Sequence, residues 1–257
     1  MSKSLRVVYM GTPQFAVAGL RSILKSNHNV VGIVTTPDRP AGRGKKLTPC
    51  AVKTEALAHN IPLFQAEKLN TKEITAELIA LDADVFVVVA FRMLPKAIWS
   101  IPPLGTFNLH ASLLPQYRGA APIHWAIING EKETGLTTFL IDEKIDTGAV
   151  LLQQKMAIDS GETTGTLSER MQEKSGPMLI DTLNTLANGK FTPITQSNEA
   201  SLKLAPKLTR INTRINWNEA GQDIVNKIHG LNPFPTAWSN LISGEDESYV
   251  KLKRAHF

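Results

Sequence analysis

The chain has 257 residues, a net charge of +5, 42% hydrophobic and 20% charged residues, and one cysteine. These are ordinary values for a soluble globular chain of about one large domain plus a smaller one, and no repeats or low-complexity runs are evident. The lone Cys50 excludes an internal disulfide and fits a reducing compartment. No apolar run is long enough to cross a bilayer and the N-terminus leads straight into a strand without a signal peptide, so the expected location is cytoplasmic.

The charge is unevenly spread. Between Pro37 and Lys53 there are five basic residues against Asp38 alone, a local net charge of +4. From Ser201 to Phe257 there are eight basic and five acidic residues, a net +3. Two basic regions on a near-neutral body suggest a polyanion held at two places, although charge alone favours a solvated loop and an ordinary tail.

Leu5 to Met10 is an apolar, β-branched run that stops at Gly11-Thr12-Pro13; Phe15 to Leu24 has helical spacing, and Val30 to Thr35 predicts the next strand. This opening points to an open, mostly parallel sheet with crossover helices. Gly11-Thr12-Pro13-Gln14-Phe15 occupies the place of a dinucleotide fingerprint but lacks G-x-G-x-x-G, which disfavours a nucleotide cofactor there. The polar stretch Pro37 to Leu47 is longer than a strand–helix connection needs and reads as an insertion carrying Arg39, Arg43, Lys45 and Lys46 around Gly42 and Gly44. It is not a P-loop. Val52 to His59 predicts a helix, Pro62 to Phe64 a short edge strand, and Lys72 to Leu81 a helix. Asp84 to Val89 is nearly all apolar, as a central strand buried on both faces is. It ends at Ala90-Phe91-Arg92-Met93-Leu94-Pro95, at the sheet edge where open α/β folds hold ligands. Phe91, Met93 and Leu94 read equally as the wall of a pocket and as loop-anchoring core.

The stretch from Phe107 to Asp146 carries the chemistry. Asn108 and His110 are two apart in a strand, so both side chains leave one face while Phe107 and Leu109 enter the core on the other. Gln116 to Gly119 forms a turn between Pro115 and Pro122, Ala120 to Ile128 reads as a helix stopped by Gly130, and Thr137 to Ile141 with Val150 to Ala157 form a hairpin around Asp146-Thr147-Gly148. An amide, an imidazole and a carboxylate at strand ends make an acid–base set. Taken singly, His110 is more often a satisfied polar residue and Asp-x-Gly more often a turn. Further on, Thr166 to Leu186 is a long amphipathic helix with Thr164 as its expected cap, Lys190 to Ala205 reads as a linker, and Arg214 to Trp217 opens a second unit with a helix over Ala220 to His229 and a turn over Asn232 to Trp238.

Asn108-x-His110, Ser112-Leu113-Leu114-Pro115, Tyr117-Arg118-Gly119, Pro122, Trp125 and Asp146-Thr147-Gly148 together resemble the signature of formyltetrahydrofolate-dependent formyltransferases. The resemblance implies a Rossmann-like α/β catalytic domain over 1–189, a linker over 190–206, and over 207–257 the start of a small C-terminal open β-barrel, OB-like, that is too short to close and suggests a truncated chain. It implies Asn108, His110 and Asp146 as catalytic residues. It places 10-formyltetrahydrofolate as co-substrate against Phe91, Arg92, Met93, Leu94 and Ser112, Leu113, Leu114, Pro115, the last four reading equally as a structural turn. Pro-Asp-Arg-Pro-x-Gly-Arg-Gly resembles the insertion of the tRNA-directed members of the family, which implies a charged initiator methionyl-tRNA as partner, met by Arg39, Arg43, Lys45, Lys46 and Lys207. The family further implies a monomer, no metal, and no membrane contact. Other readings keep the fold with a small amine as acceptor, with hydrolysis of the formylfolate, or as a non-catalytic RNA-binding module. The basic insertion and the Trp217–Trp238 tail argue against the first two, and the intact Asn108, His110, Asp146 set against the third.

Overall fold

A computed structural model describes residues 3–41, 46–189, 191–197 and 201–256. In chain order its first elements are β1 (Arg6–Gly11), α1 (Gln14–Leu24), β2 (Asn29–Thr35), a small β3 (Arg39–Ala41), β4 (Lys46–Thr48), α2 (Ala51–Ala58), β5 (Leu63–Gln65), α3 (Lys72–Ala80), β6 (Val85–Val89) and α4 (Lys96–Trp99). There follow β7 (Thr106–His110), β8 (Arg118–Gly119), α5 (Pro122–Ile128), β9 (Glu133–Leu140), β10 (Val150–Ala157), α6 (Thr164–Ala187), β11 (Leu204–Ala205), α7 (Gly221–Gly230), β12 (Ala237–Ser243) and β13 (Asp246–Leu252).

The chain divides into two compact units that interleave in sequence. One comprises Met1–His110, Thr137–Leu152 and Gln172–Gln196; the other comprises Ala111–Leu136, Gln153–Met171 and Ser197–Phe257. Among the described residues the main sheet has seven strands in the order β10-β9-β7-β6-β1-β2-β5. β5, β2, β1, β6 and β7 pair in parallel, and β9 joins β7 antiparallel. This is the expected Rossmann-like, mostly parallel sheet. All five residues of β6 are buried, which is why its sequence is apolar without alternation.

In the first unit Val8, Met10, Val34, Phe86 and Val88 pack with Ile74, Leu78 and Ile98 into one core. Burying each such side chain contributes about 1.5–3 kcal/mol. α1 lies close on the sheet because Gly11 leaves room: a Cβ there would stand 2.8 Å from that of Ala16. In the second unit Ile215, Ile228, Leu231 and Ala237 form a smaller core, and β12 and β13 pair as an antiparallel hairpin.

Three local readings change. The Pro37–Leu47 insertion is not an open loop at its ends: β3 and β4 pair antiparallel, Arg39 opposite Thr48 and Ala41 opposite Lys46. Strand β9 begins at Glu133, four residues before the expected Thr137. Gly135 masks this extension, since glycine normally marks a turn; here it permits a close approach, because a Cβ would stand 2.2 Å from the Gln154 carbonyl oxygen. Helix α6 begins at Thr164, and its capping partner is Thr163, not Thr164. Thr166 N–H donates to Thr163 Oγ1 at 3.3 Å while Thr163 N–H donates to Thr166 Oγ1 at 3.0 Å, a reciprocal box. The Thr164 hydroxyl instead donates to the Gly230 carbonyl at 2.7 Å.

Candidate active site

Strand β7 is held on both sides: Asn108 is opposite Val88 of β6 and opposite Phe139 of β9. Phe107 and Leu109 are 0% and 3% exposed and anchor the strand from one face. Asn108 is half-buried and His110 is 6% exposed, so the polar pair leaves the opposite face in a largely desolvated place. Phe139 meets the His110 ring edge-on, with centroids 6.4 Å apart and an interplanar angle of 85°. Nδ1 of His110 lies 3.7 Å from Oδ2 of Asp146, whose side chain is 13% exposed. This exceeds hydrogen-bond length but is an ion-pair distance in a site with little water to screen it.

Asp146 is held there by a tight loop. Its φ is +55°, a left-handed conformation that Asp tolerates better than most residues. The Thr147 hydroxyl donates to both Asp142 carboxylate oxygens at 2.8 and 3.0 Å, and Lys144 N–H donates to Oδ1 of Asp142 at 3.0 Å. Gly148 is required sterically, since a Cβ there would stand 1.6 Å from the Leu140 carbonyl oxygen. From the far side, the amide nitrogen of Gln196 donates to the carbonyls of Asp146 at 3.0 Å and Gly148 at 2.7 Å. Nothing in the sequence marks Gln196: it sits in the polar stretch that reads as a linker, without periodicity or motif. An isolated bridge between Val150 and Ile194 brings that stretch to the Asp146 loop.

The Phe91–Leu94 loop lies in the same unit and its members are used differently. Leu94 is 6% exposed and packs in the main core. Arg92 donates to the Glu67 carbonyl at 2.6 Å and to the Ala66 carbonyl, its guanidinium stacks 5.6 Å from the Phe91 ring centroid, and burial lowers its pKa. Met93 is 71% exposed and Phe91 is half-buried.

Ser112 to Pro115 belong to the other unit. Ser112 is fully buried and its hydroxyl donates to the Gln116 carbonyl at 2.7 Å, closing a turn. Leu114 is 4% exposed, and Gln153 donates to its carbonyl at 2.7 Å. The turn that follows is stitched to β11: Tyr117 N–H donates to the Lys203 carbonyl at 2.6 Å and Ala120 N–H to the Ala205 carbonyl at 2.8 Å. Beneath it the Tyr117 hydroxyl donates to Glu131 at 2.5 Å, and Lys203 Nζ reaches the same carboxylate oxygen at 2.5 Å. Burial and the bond to Glu131 push the Tyr117 phenol up. Burial alone would raise the Glu131 carboxyl, but the bonds from Lys203 and Tyr117 outweigh it and hold the group below its ordinary value.

The basic residues fall in two places. Arg39 and Lys46 are exposed on the β3–β4 hairpin, and alternation puts them on one face of that ribbon. Its base is tied by Lys53, whose ammonium meets Asp38 at 2.7 Å. Arg43 and Lys45 lie outside the described residues. Lys207, in the second unit, lines a groove of about 460 Å³ with Arg210, Trp238 and Tyr249. There the Arg210 guanidinium lies 5.0 Å from the Trp238 ring centroid and 5.6 Å from that of Tyr249, within cation–π range.

Comparison with known proteins adds to this geometry. The formyl transferase family model matches residues 5–183, and the model of the formyl transferase C-terminal domain matches residues 207–257. The chain is 49% identical over 253 residues to a methionyl-tRNA formyltransferase of Flavobacterium johnsoniae, covering 98% of this chain and 80% of the relative. It is 46% identical over 251 residues to the methionyl-tRNA formyltransferase of Bacteroides thetaiotaomicron, covering 96% and 78%. Among solved structures, a sugar N-formyltransferase from a Shewanella species shares the fold with a TM-score of 0.71 at 17% identity, covering 98% of this chain and 99% of that one. HypX from Aquifex aeolicus, solved with tetrahydrofolic acid, gives 0.66 at 17% identity over 93% of this chain and 36% of that one.

Proposed function

The chain belongs to the formyl transferase family, and from that membership we propose that it transfers the formyl group of 10-formyltetrahydrofolate to the α-amino group of methionine carried by initiator tRNA. The observation that supports this most is the set Asn108, His110 and Asp146 around the end of β7, with His110 and Asp146 3.7 Å apart, in a chain 49% identical to a methionyl-tRNA formyltransferase over nearly its whole length. In this reading the protein acts as a cytoplasmic monomer, residues 1–189 form the catalytic domain, 190–206 the linker, and 207–257 contribute to binding tRNA.

The α-amine of an aminoacyl ester has a pKa near or below about 8, so an appreciable fraction is neutral and nucleophilic at working pH without a strong base. The amine nitrogen attacks the formyl carbon and the carbonyl oxygen takes up the electron pair. Collapse of that tetrahedral species breaks the bond to N10 of the folate, and the proton lost by the amine ends on N10. The costly species carries a negative oxygen and a positive nitrogen. The Asn108 amide donates to the oxygen; loss of one such donor costs on the order of 3 kcal/mol. His110 donates to the same oxygen when protonated, and Asp146, 3.7 Å from Nδ1, orients its ring. Acid–base assistance of this kind is worth roughly 10²–10⁴ in rate.

For the folate, Phe91 and Met93 offer apolar surface to a flat ring, Leu113 and Pro115 do so from the second turn, and Arg92, Leu94, Ser112 and Leu114 hold those loops in shape. For tRNA, Arg39, Arg43, Lys45, Lys46 and Lys207 meet phosphates. The test is formyl transfer from 10-formyltetrahydrofolate to methionyl-initiator tRNA beside free methionine. Transfer to the charged tRNA alone is expected. Transfer to neither, with the formylfolate consumed, overturns the reading in favour of hydrolysis or another amine.

A further inference from the structure

We propose that Gln196 is a positioning residue for the transfer, setting the backbone of Asp146 and through it the carboxylate that faces His110. The inference rests on the catalytic set proposed above and adds a residue from the supposed linker.

The side chain of Gln196 is 8% exposed, unusual for a glutamine in a connecting segment. A primary amide has two N–H donors. Those of Gln196 go to two carbonyls of one loop, Asp146 at 3.0 Å and Gly148 at 2.7 Å. The 146–147 and 148–149 peptide planes are therefore held from one point. The backbone is fixed beside it by a reciprocal pair, Val150 N–H to the Ile194 carbonyl at 2.8 Å and Ile194 N–H to the Val150 carbonyl at 2.9 Å.

The loop needs such a support. Asp146 has a φ of +55°, which relaxes toward the ordinary region if nothing opposes it. Such a relaxation turns its Cα–Cβ bond and carries the carboxylate off the 3.7 Å line to His110 Nδ1. Movement toward Leu140 is blocked at Gly148, and the Asp142–Thr147 bonds hold the outer side. Gln196 supplies a further constraint. Its amide contacts carbonyls and leaves the reacting atoms to Asn108, His110 and Asp146.

The test is a mutant cycle on the full chain. Gln196→Met keeps length and bulk but removes both donors; Gln196→Glu keeps the shape and sets a carboxylate against two carbonyls. With Asp146 intact, kcat for formyl transfer is expected to fall about 10- to 100-fold in Gln196→Met and further in Gln196→Glu, with KM for the folate within about twofold. In the Asp146→Asn background, Gln196→Met is expected to change kcat by less than about threefold, because its effect passes through the carboxylate already removed. Equal losses in both backgrounds, or an unchanged kcat, overturn the proposal. A purely structural role predicts lower Tm with kcat intact. A second readout needs no turnover: the His110 Cε1–Hε1 resonance, identified by its loss in His110→Asn, is expected to move in Gln196→Met toward its position in Asp146→Asn. If it stays in place, the proposal fails even where the tRNA assay of the wild type succeeds. If the wild type formylates no tRNA while the resonance moves, the acceptor is wrong and the positioning role stands.

Discussion

Nδ1 of His110, at the end of a central strand, faces the carboxylate of Asp146, on a loop 36 residues further along the chain, at 3.7 Å. Neither side chain is more than 13% exposed. Asparagine shares Asp's tolerance of positive φ, so Asp146→Asn removes the charge with the backbone at φ +55° retained. It should lower kcat by roughly 10²–10⁴ while Tm stays within a few degrees. Asp146→Ala should lower kcat as far and also lower Tm, since alanine is strained there. Steady-state kinetics and thermal melts on both variants check this, and near-full activity in Asp146→Asn would remove Asp146 from the mechanism.

Asn108→Ala should cost on the order of 3 kcal/mol in kcat/KM, the loss of one donor to the developing oxyanion. The Asn108 side chain is half-buried rather than enclosed in the core, so the variant's melting curve should be nearly unchanged. A loss confined to the folate KM would make it a binding residue instead.

Glu131 links Tyr117 and Lys203 beneath the turn that follows Pro115. Its carboxyl is held below its ordinary value of 4.5. A depressed carboxyl contributes stability that is present in full above the unfolded value and lost as pH falls through the folded one. Wild type should therefore lose this contribution below about pH 4.5, and Glu131→Gln should lack it at every pH. At pH 7 the variant should be less stable by about 1 kcal/mol, less than is usual for a charged hydrogen bond because Lys203 is half exposed, or roughly 2–4 °C in Tm. Melts from pH 3.5 to 7 decide it: parallel curves for the two proteins would show that Glu131 does not carry the acid sensitivity.

The β3–β4 hairpin presents Arg39 and Lys46 to solvent, and Arg43 lies between them in sequence. Arg39→Ala, Lys46→Ala and Arg43→Ala should each raise the KM for charged tRNA and reduce the slope of log affinity against log salt by about 1, leaving folate binding alone. An equal loss of folate binding would assign that residue to the other substrate.

Gly148→Ala should unfold the Asp146 loop, because the added carbon would stand 1.6 Å from the Leu140 carbonyl oxygen. A destabilisation of at least about 2 kcal/mol with loss of turnover is expected. A stable, active variant would mean the loop has room that its geometry denies.

The amino-acid sequence by itself determined the parallel sheet and its helices, because burial on both faces demands unbroken apolar runs such as Val85–Val89 and amphipathic helices require a period near 3.6. Through its resemblance to a long family motif it also singled out Asn108, His110 and Asp146, of which the fold brings His110 and Asp146 within 3.7 Å. Tertiary structure alone decided what depends on contacts between distant segments. Gly135 lies in a strand and not a turn because of where the Gln154 carbonyl stands. Thr163 caps α6 through a bond with Thr166, whereas Thr164 is drawn to the Gly230 carbonyl. Arg92 and Leu94, neighbours of exposed Met93, are taken up by backbone carbonyls and core. Gln196, in a stretch with no periodicity, comes to hold the Asp146 loop because both donors of a buried amide must find acceptors, and it finds them in the Asp146 and Gly148 carbonyls.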